Sequence, residues 1–109
     1  MATLTIANGA TQSDVFALEP GDSPVGVNIP TGLDGTGLYL LVSLDGGTTY
    51  TRAQNVGGGS DYFLTKPTGT GGYTPIDPRV VKGVRRGKFE AASSQTAART
   101  LQLATDRLA

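Results

Sequence analysis

Apolar and polar residues alternate with a period of two in short stretches spaced about ten residues apart, separated by Gly, Pro, Asn and Asp. That rhythm predicts short strands joined by turns, as in a sandwich or small barrel. Leu4 and Ile6 alternate with Thr3 and Thr5 ahead of Asn8-Gly9, a dipeptide suited to positive φ. Val15 and Ala17 alternate with Phe16 and Leu18. Glu19-Pro20-Gly21-Asp22 then turns the chain into a third strand, in which Val25, Val27 and Ile29 alternate with Gly26 and Asn28 up to Pro30. Residues 38–44 are apolar on both faces, with Leu38, Leu40, Val42 and Leu44 on one and Tyr39 and Leu41 on the other, as a central strand covered on both sides would be. Residues 48–53 return through Asp45-Gly46-Gly47 as a hairpin expected to have a tight register. A short strand at 61–65 lies between two loops expected to be mobile, the Gly-rich 55–60 and the Pro-, Thr- and Gly-rich 66–72.

Tyr73-Thr74-Pro75-Ile76-Asp77-Pro78 suits a tight turn or one turn of 3₁₀ helix, because its two prolines cannot donate to a ladder. Residues 80–91 then predict a long strand whose interior Gly83 and Gly87 mark bulges or close backbone approach. In one unbulged strand Val80, Lys82, Val84, Arg86, Lys88 and Glu90 share a face, with three cations in a stripe. The last segment fits two patterns. Ala97, Leu101, Ala104 and Leu108 have helical spacing after Ser94 as a cap, whereas residues 100–105 alternate Leu101 and Leu103 inward; the Thr content favours strand. The expectation is an all-β chain forming one domain over residues 1–109, a single β-sandwich or jelly roll of about eight strands with Gly-, Pro- and Thr-rich loops.

Composition supports this and narrows the chemistry. Gly and Pro supply about a fifth of the 109 residues, a balance that favours strands and turns. With no His and no Cys, the commonest general base, the commonest metal ligand, the thiolate nucleophile, the zinc site and the disulfide are all missing, so an enzyme is not expected. No cofactor or metal is implied. The start has neither a charged n-region nor a long apolar stretch, and the longest apolar run, Leu38-Tyr39-Leu40-Leu41-Val42, is far short of the roughly 20 residues that span a bilayer. A soluble protein made in the cytoplasm, with no membrane partner, is expected.

The formal charge is zero but divided along the chain. Residues 1–78 hold two basic and seven acidic residues, net −5; residues 79–109 hold seven basic and two acidic, net +5. Such asymmetry points to association. Its densest part is Arg79, Lys82, Arg85, Arg86 and Lys88, which predicts either an exposed strand using cations to resist edge pairing or a docking surface for an acidic partner. Nucleic acid is disfavoured, since only Phe89 lies near and the chain is not basic overall. A neighbouring copy could supply the acidic surface head-to-tail.

Other motifs carry less. Gly83-Val84-Arg85-Arg86-Gly87-Lys88 has three residues between its glycines where a phosphate-binding loop needs four, and Phe89 where a magnesium-holding hydroxyl belongs. Gly69-Thr70-Gly71-Gly72 fails the dinucleotide fingerprint. The seven acidic residues before position 78 are scattered, with no calcium-loop spacing and nothing to single out a catalytic pair. Ser43-Leu44-Asp45-Gly46-Gly47-Thr48-Thr49-Tyr50 resembles an Asp-box hairpin, with Tyr50 where Trp is usual. The resemblance implies a structural turn whose Asp accepts backbone N–H bonds over a packed aromatic; one copy implies no propeller and no sialidase.

Across nearly the whole chain the sequence resembles the small all-β virion proteins of tailed bacteriophages. The likeness lies in the Met-Ala-Thr-Leu-Thr-Ile-Ala-Asn-Gly opening, the Val42 to Tyr50 hairpin, Pro75-Ile76-Asp77-Pro78, and Gln95-Thr96-Ala97-Ala98-Arg99-Thr100-Leu101-Gln102-Leu103. It implies a non-enzymatic structural role in the particle, on the capsid as a decoration or cement protein or elsewhere as a head or tail component. The leading expectation is a capsid decoration or cement protein on the capsid surface of the virion, assembled in the host bacterial cytoplasm. Its partners would be the major capsid protein and copies of itself, as dimer or trimer. The alternative is a carbohydrate-binding or adhesion module on head or tail, with Tyr39, Tyr50, Tyr62 or Tyr73 stacking on sugar rings. Tyrosines on sandwich strands more often pack at the core or rim.

Overall fold

A computed structural model describes residues 2–30, 32–66, 72–81 and 84–107. Lys82, Gly83 and residues 67–71 of the second predicted loop lie outside the described residues. Nine strands and one helical turn are described: β1 (Ala2–Ile6), β2 (Phe16–Ala17), β3 (Asp22–Ile29), β4 (Gly37–Ser43), β5 (Thr51–Arg52), β6 (Phe63–Thr65), β7 (Gly72–Pro75), α1 (Pro78–Val81), β8 (Arg86–Ala91) and β9 (Arg99–Arg107). They form two antiparallel sheets packed as a β-sandwich. One sheet has the order β1-β9-β3-β7; the other runs β2-β8-β4-β5, with β6 pairing the opposite end of β4 from β5.

Most inward positions are the ones that the alternation predicts; Val25, expected with Val27 and Ile29, is only half-buried because a bulge between Pro24 and Gly26 shifts the register. In the first sheet Leu4 stands opposite Leu101 and Val27 opposite Leu103, all buried together with Ile6 and Ile29. In the second, Leu38 and Leu40 of β4 and Phe89 and Ala91 of β8 face the same core, and Phe16 packs on Phe89 with ring centroids 6.1 Å apart. Fully burying side chains of this kind stabilises by roughly 1.5–3 kcal/mol each. Glycine permits one close approach: a Cβ on Gly87 would lie 2.6 Å from the Leu41 carbonyl oxygen and 2.7 Å from the Phe16 ring. The final segment, which fitted both helix and strand, is β9.

Two expectations are corrected. Residues 80–91 are not one strand, because Asp77-Pro78 starts a helical turn. The Asp77 Oδ1 accepts the Arg79 N–H at 2.9 Å, and Pro78 takes the first helical position, where its missing N–H costs nothing. The turn buries Val81, and Ile76 just before it is also buried; the strand begins only at Arg86. The register of the 45–53 return is not tight either. Seven residues separate β4 from a two-residue β5, and Leu44, predicted inward, is 85% exposed.

Residues 11–18 close one side of the sandwich. The Ser13 N–H donates to Phe89 O and its Oγ accepts the Phe89 N–H, while Asp14 exchanges bonds with Thr5 of the other sheet through both its backbone N–H and its Oδ2. On the opposite side side-chain bonds span the gap: the Tyr62 hydroxyl accepts the Asp77 N–H at 2.8 Å, and Lys66 Nζ donates to Leu33 O at 2.7 Å.

Candidate functional site

β8 carries the predicted cation stripe as far as it is described, with Arg86, Lys88 and Glu90 on the outer face and Gly87, Phe89 and Ala91 inward. It is an interior strand. β4 pairs one side along its whole length, and residues 11–18 line the other through Ala91 N–H to Thr11 O, Ser13 N–H to Phe89 O and Leu18 N–H to Arg85 O. Protection of a sheet edge is therefore not what these cations do.

The five predicted partner-binding residues separate into distinct settings. Lys82 lies outside the described residues. Arg79 is neutralised by Asp77, Nη2 to Oδ2 at 3.0 Å, and the bonds from Arg79 hold the Asp77 carboxyl below its ordinary range. Lys88 sits over the Tyr50 ring, its Nζ 4.7 Å from the centroid. Arg85 and Arg86 are exposed, and their guanidiniums have no hydrogen-bond, ion-pair or ring partner among the described residues.

The exposed pair borders an open cleft of about 220 Å³ lined also by Ala17, Leu18, Ser43, Leu44 and Gly46. Its shape is set by the turn after β4. Asp45 Oδ1 accepts the Thr49 N–H at 2.9 Å, the Thr48 N–H at 3.1 Å and the Ser43 hydroxyl at 2.8 Å, while Ser43 Oγ accepts the Gly47 N–H at 2.9 Å. Gly46 and Gly47 take the positive φ that this path requires. The Thr49 N–H first and the Ser43 hydroxyl next lower the Asp45 carboxyl to about 2. This is the structural turn that the Asp-box likeness implied, and Tyr50 lies beneath it, within 3.4 Å of where a Gly47 Cβ would sit.

The other end of the same face is closed by its own contacts. Arg52 donates to Glu90 Oε1 from Nε at 3.1 Å and Nη2 at 2.7 Å, and to Asp61 Oδ2 from Nη1 at 3.0 Å, with its guanidinium 3.9 Å above the Tyr39 ring. Gln12 adds a bond to Glu90, and Tyr39 packs on Phe63 with centroids 4.8 Å apart. The Arg52 bonds, then the Gln12 bond, hold the Glu90 carboxyl low. Residues 55–60, expected to be mobile, form a turn closed by Asn55 N–H to Ser60 O at 2.9 Å and braced by Gln54 to Asp61 at 2.6 Å.

The four tyrosines are mostly engaged. Tyr39 and Tyr50 have a cation over the ring, the Tyr62 hydroxyl bonds the backbone, and Tyr73 lies across Gly26 with its hydroxyl donating to Val25 O at 3.3 Å. Among the described residues no cluster of three or more acidic groups could hold a metal ion.

Two features escaped the sequence reading. Gln95 is buried with every polar group bonded: its side chain joins Asp34 N–H, Asp34 O and Ser93 O, and its backbone bonds Gly9 and Ala10. A lone Gln between Ser and Thr gives no hint of this. The other is the exposure of Leu44, which the apolar run places in the core: the Ser-x-Asp pair bracketing it marks a turn that throws the middle residue outward. Compared with protein-family profiles, with curated proteins and with solved structures, the chain finds no match.

Proposed function

We propose that this chain is a non-enzymatic bacteriophage virion protein of the capsid decoration type, which binds neighbouring major capsid subunits and stabilises the shell. The observation that carries the reading is the pair Arg85 and Arg86, exposed and unneutralised on a framework whose other described charges are largely bonded. The likeness to small all-β virion proteins supplies the particle, and the capsid-surface location is part of the proposal. An acidic coat surface would pair with the two guanidiniums, docking would be hastened by charge steering, and salt would weaken it. Self-association as a dimer or trimer belongs to the same proposal.

The test is to add purified protein to particles that lack it. Saturable binding that falls as salt rises is expected, together with detection of the chain in purified virions by mass spectrometry. No binding, or absence from virions, removes the reading. A glycan array separates it from the carbohydrate-binding alternative, since saturable sugar binding is the result that only the alternative expects.

A further inference from the structure

We infer that Leu44, Arg85 and Arg86 form a docking site for an acidic protein segment that carries an apolar side chain beside its carboxylates. The inference rests on reading the cationic surface as a docking surface and does not depend on which particle it docks to.

Leu44 is the most exposed large apolar side chain described, and it projects from a turn held by four side-chain hydrogen bonds. The residues on either side of it, Ser43 and Asp45, are bonded to each other, so Leu44 cannot fold back onto the core without breaking the turn. It forms a ridge between two open clefts. One, of about 220 Å³, has the two arginines with Ala17 and Leu18; the other, of about 260 Å³, is lined by Val42, Asp45, Thr49 and Thr51. Neither encloses a small molecule, but together they give a shallow relief with an aliphatic crest and a cationic flank.

Charge decides the occupant. Arg52, Lys66, Arg79, Lys88 and Arg99 each have a carboxylate, carbonyl or ring partner, whereas Arg85 and Arg86 have none among the described residues. A guanidinium fork suits a carboxylate bidentately, and two adjacent forks suit an acidic segment. Phosphate backbones are bound by longer cation tracks interleaved with stacking rings, and no aromatic side chain lines either cleft. The aliphatic crest instead calls for an apolar side chain, so both halves of the relief fit a peptide with Asp or Glu next to Leu or a similar residue.

The test uses the full-length chain, isotope-labelled, titrated in NMR with three probes: the capped peptide Glu-Leu-Asp-Leu-Glu, its Glu-Ser-Asp-Ser-Glu counterpart, and oligothymidylate. Saturable shifts from the leucine peptide at residues 17, 18, 43–46, 85 and 86 are expected, with the serine peptide roughly fivefold weaker. The Arg85→Ser/Arg86→Ser variant should weaken binding about tenfold and Leu44→Ser about fivefold, with amide signals elsewhere unmoved as the check on folding. No saturable shift, equal binding of the two peptides, tighter binding of oligothymidylate, or shifts confined to other residues would each overturn the assignment. Particle binding separates this inference from the capsid reading. If peptide binding survives but particles are not bound, the capsid reading falls alone; if particle binding survives Leu44→Ser, Arg85→Ser and Arg86→Ser combined in one chain, the cleft assignment falls alone.

Discussion

Along the outer face of β8 two neighbourhoods built from the same kinds of residue behave in opposite ways. At the Glu90 end, Arg52 meets two carboxylates and an aromatic face, and Gln12 takes up a remaining carboxylate oxygen. At the Arg86 end, about four residues away on one strand, two guanidiniums without a partner among the described residues and an exposed leucine stand beside an open cleft. A count of charges cannot distinguish the ends. What distinguishes them is whether the fold brings opposite charges from distant segments to the spot: Asp61 and Glu90 reach Arg52, and among the described residues no carboxylate pairs with Arg86. A cation that is bonded within the fold is part of the scaffold, and one left unbonded on a rigid scaffold is available to another molecule.

The contrast can be broken most severely from beneath, by removing the anchor that both ends share. Phe89→Ala should cost roughly 3–5 kcal/mol in urea unfolding and loosen the whole outer face. Gly87→Val inserts atoms where the Leu41 carbonyl and Phe16 ring already lie, so a loss of about 1–3 kcal/mol is expected by the same measurement. A cost below about 0.5 kcal/mol for either would mean that β8 is not locked in place.

Smaller changes sharpen the contrast. Glu90→Ala should cost about 1 kcal/mol, less at high salt, because it removes both Arg52 bonds to Glu90 and the Gln12 bond, leaving Arg52 its Asp61 and Tyr39 contacts. Asp45 offers a pH version. Its carboxyl stands at about 2 when folded against 3.8 ordinarily, so the folded state favours the ionised form. The stability this gives is complete above the ordinary value and is lost as pH falls toward 2. Thermal melts from pH 5 to about pH 2 should therefore decline less steeply for Asp45→Asn than for the wild type. The smallest expected effect is at the other end of the face: Arg86→Ser should leave unfolding within about 0.5 kcal/mol of wild type. A larger loss would show Arg86 to be structural after all.

The sequence was legible wherever one face of a strand is buried and the other wet. β1, β9 and β3 beyond its bulge alternate as expected because Leu4, Ile6, Val27, Ile29, Leu101 and Leu103 have a single core to reach. Alternation misled at 78–81, where Val80 and Val81 have strand chemistry but Asp77 caps a helical turn that Pro78 begins; the Asp-Pro pair was the available clue. It misled at Leu44 for a related reason, because a polar turn overrode an apolar run. The candidate site was half legible. The basic cluster could be read directly, but which of its members are engaged depends on contacts such as Lys88 with the ring of Tyr50, distant in sequence, that no local pattern encodes. The −5 and +5 parts are not separate surfaces either: β8 and β9 carry much of the basic stretch into the interior positions of the two sheets.

The pairing of β1 with β9 has a consequence for how the protein comes into being. β9 is the shared neighbour of β1 and β3, so the first sheet has no middle until residues 99–107 have left the ribosome. Until then Leu4, Ile6, Val27 and Ile29 lack the strand that covers them, and the closing step joins segments at nearly the greatest separation in the chain, which is slow for β-structure. During synthesis the nascent chain is therefore expected to depend on chaperones or on speed of completion, and a chain cut short before residue 99 to be a target for proteolysis instead of a smaller working module.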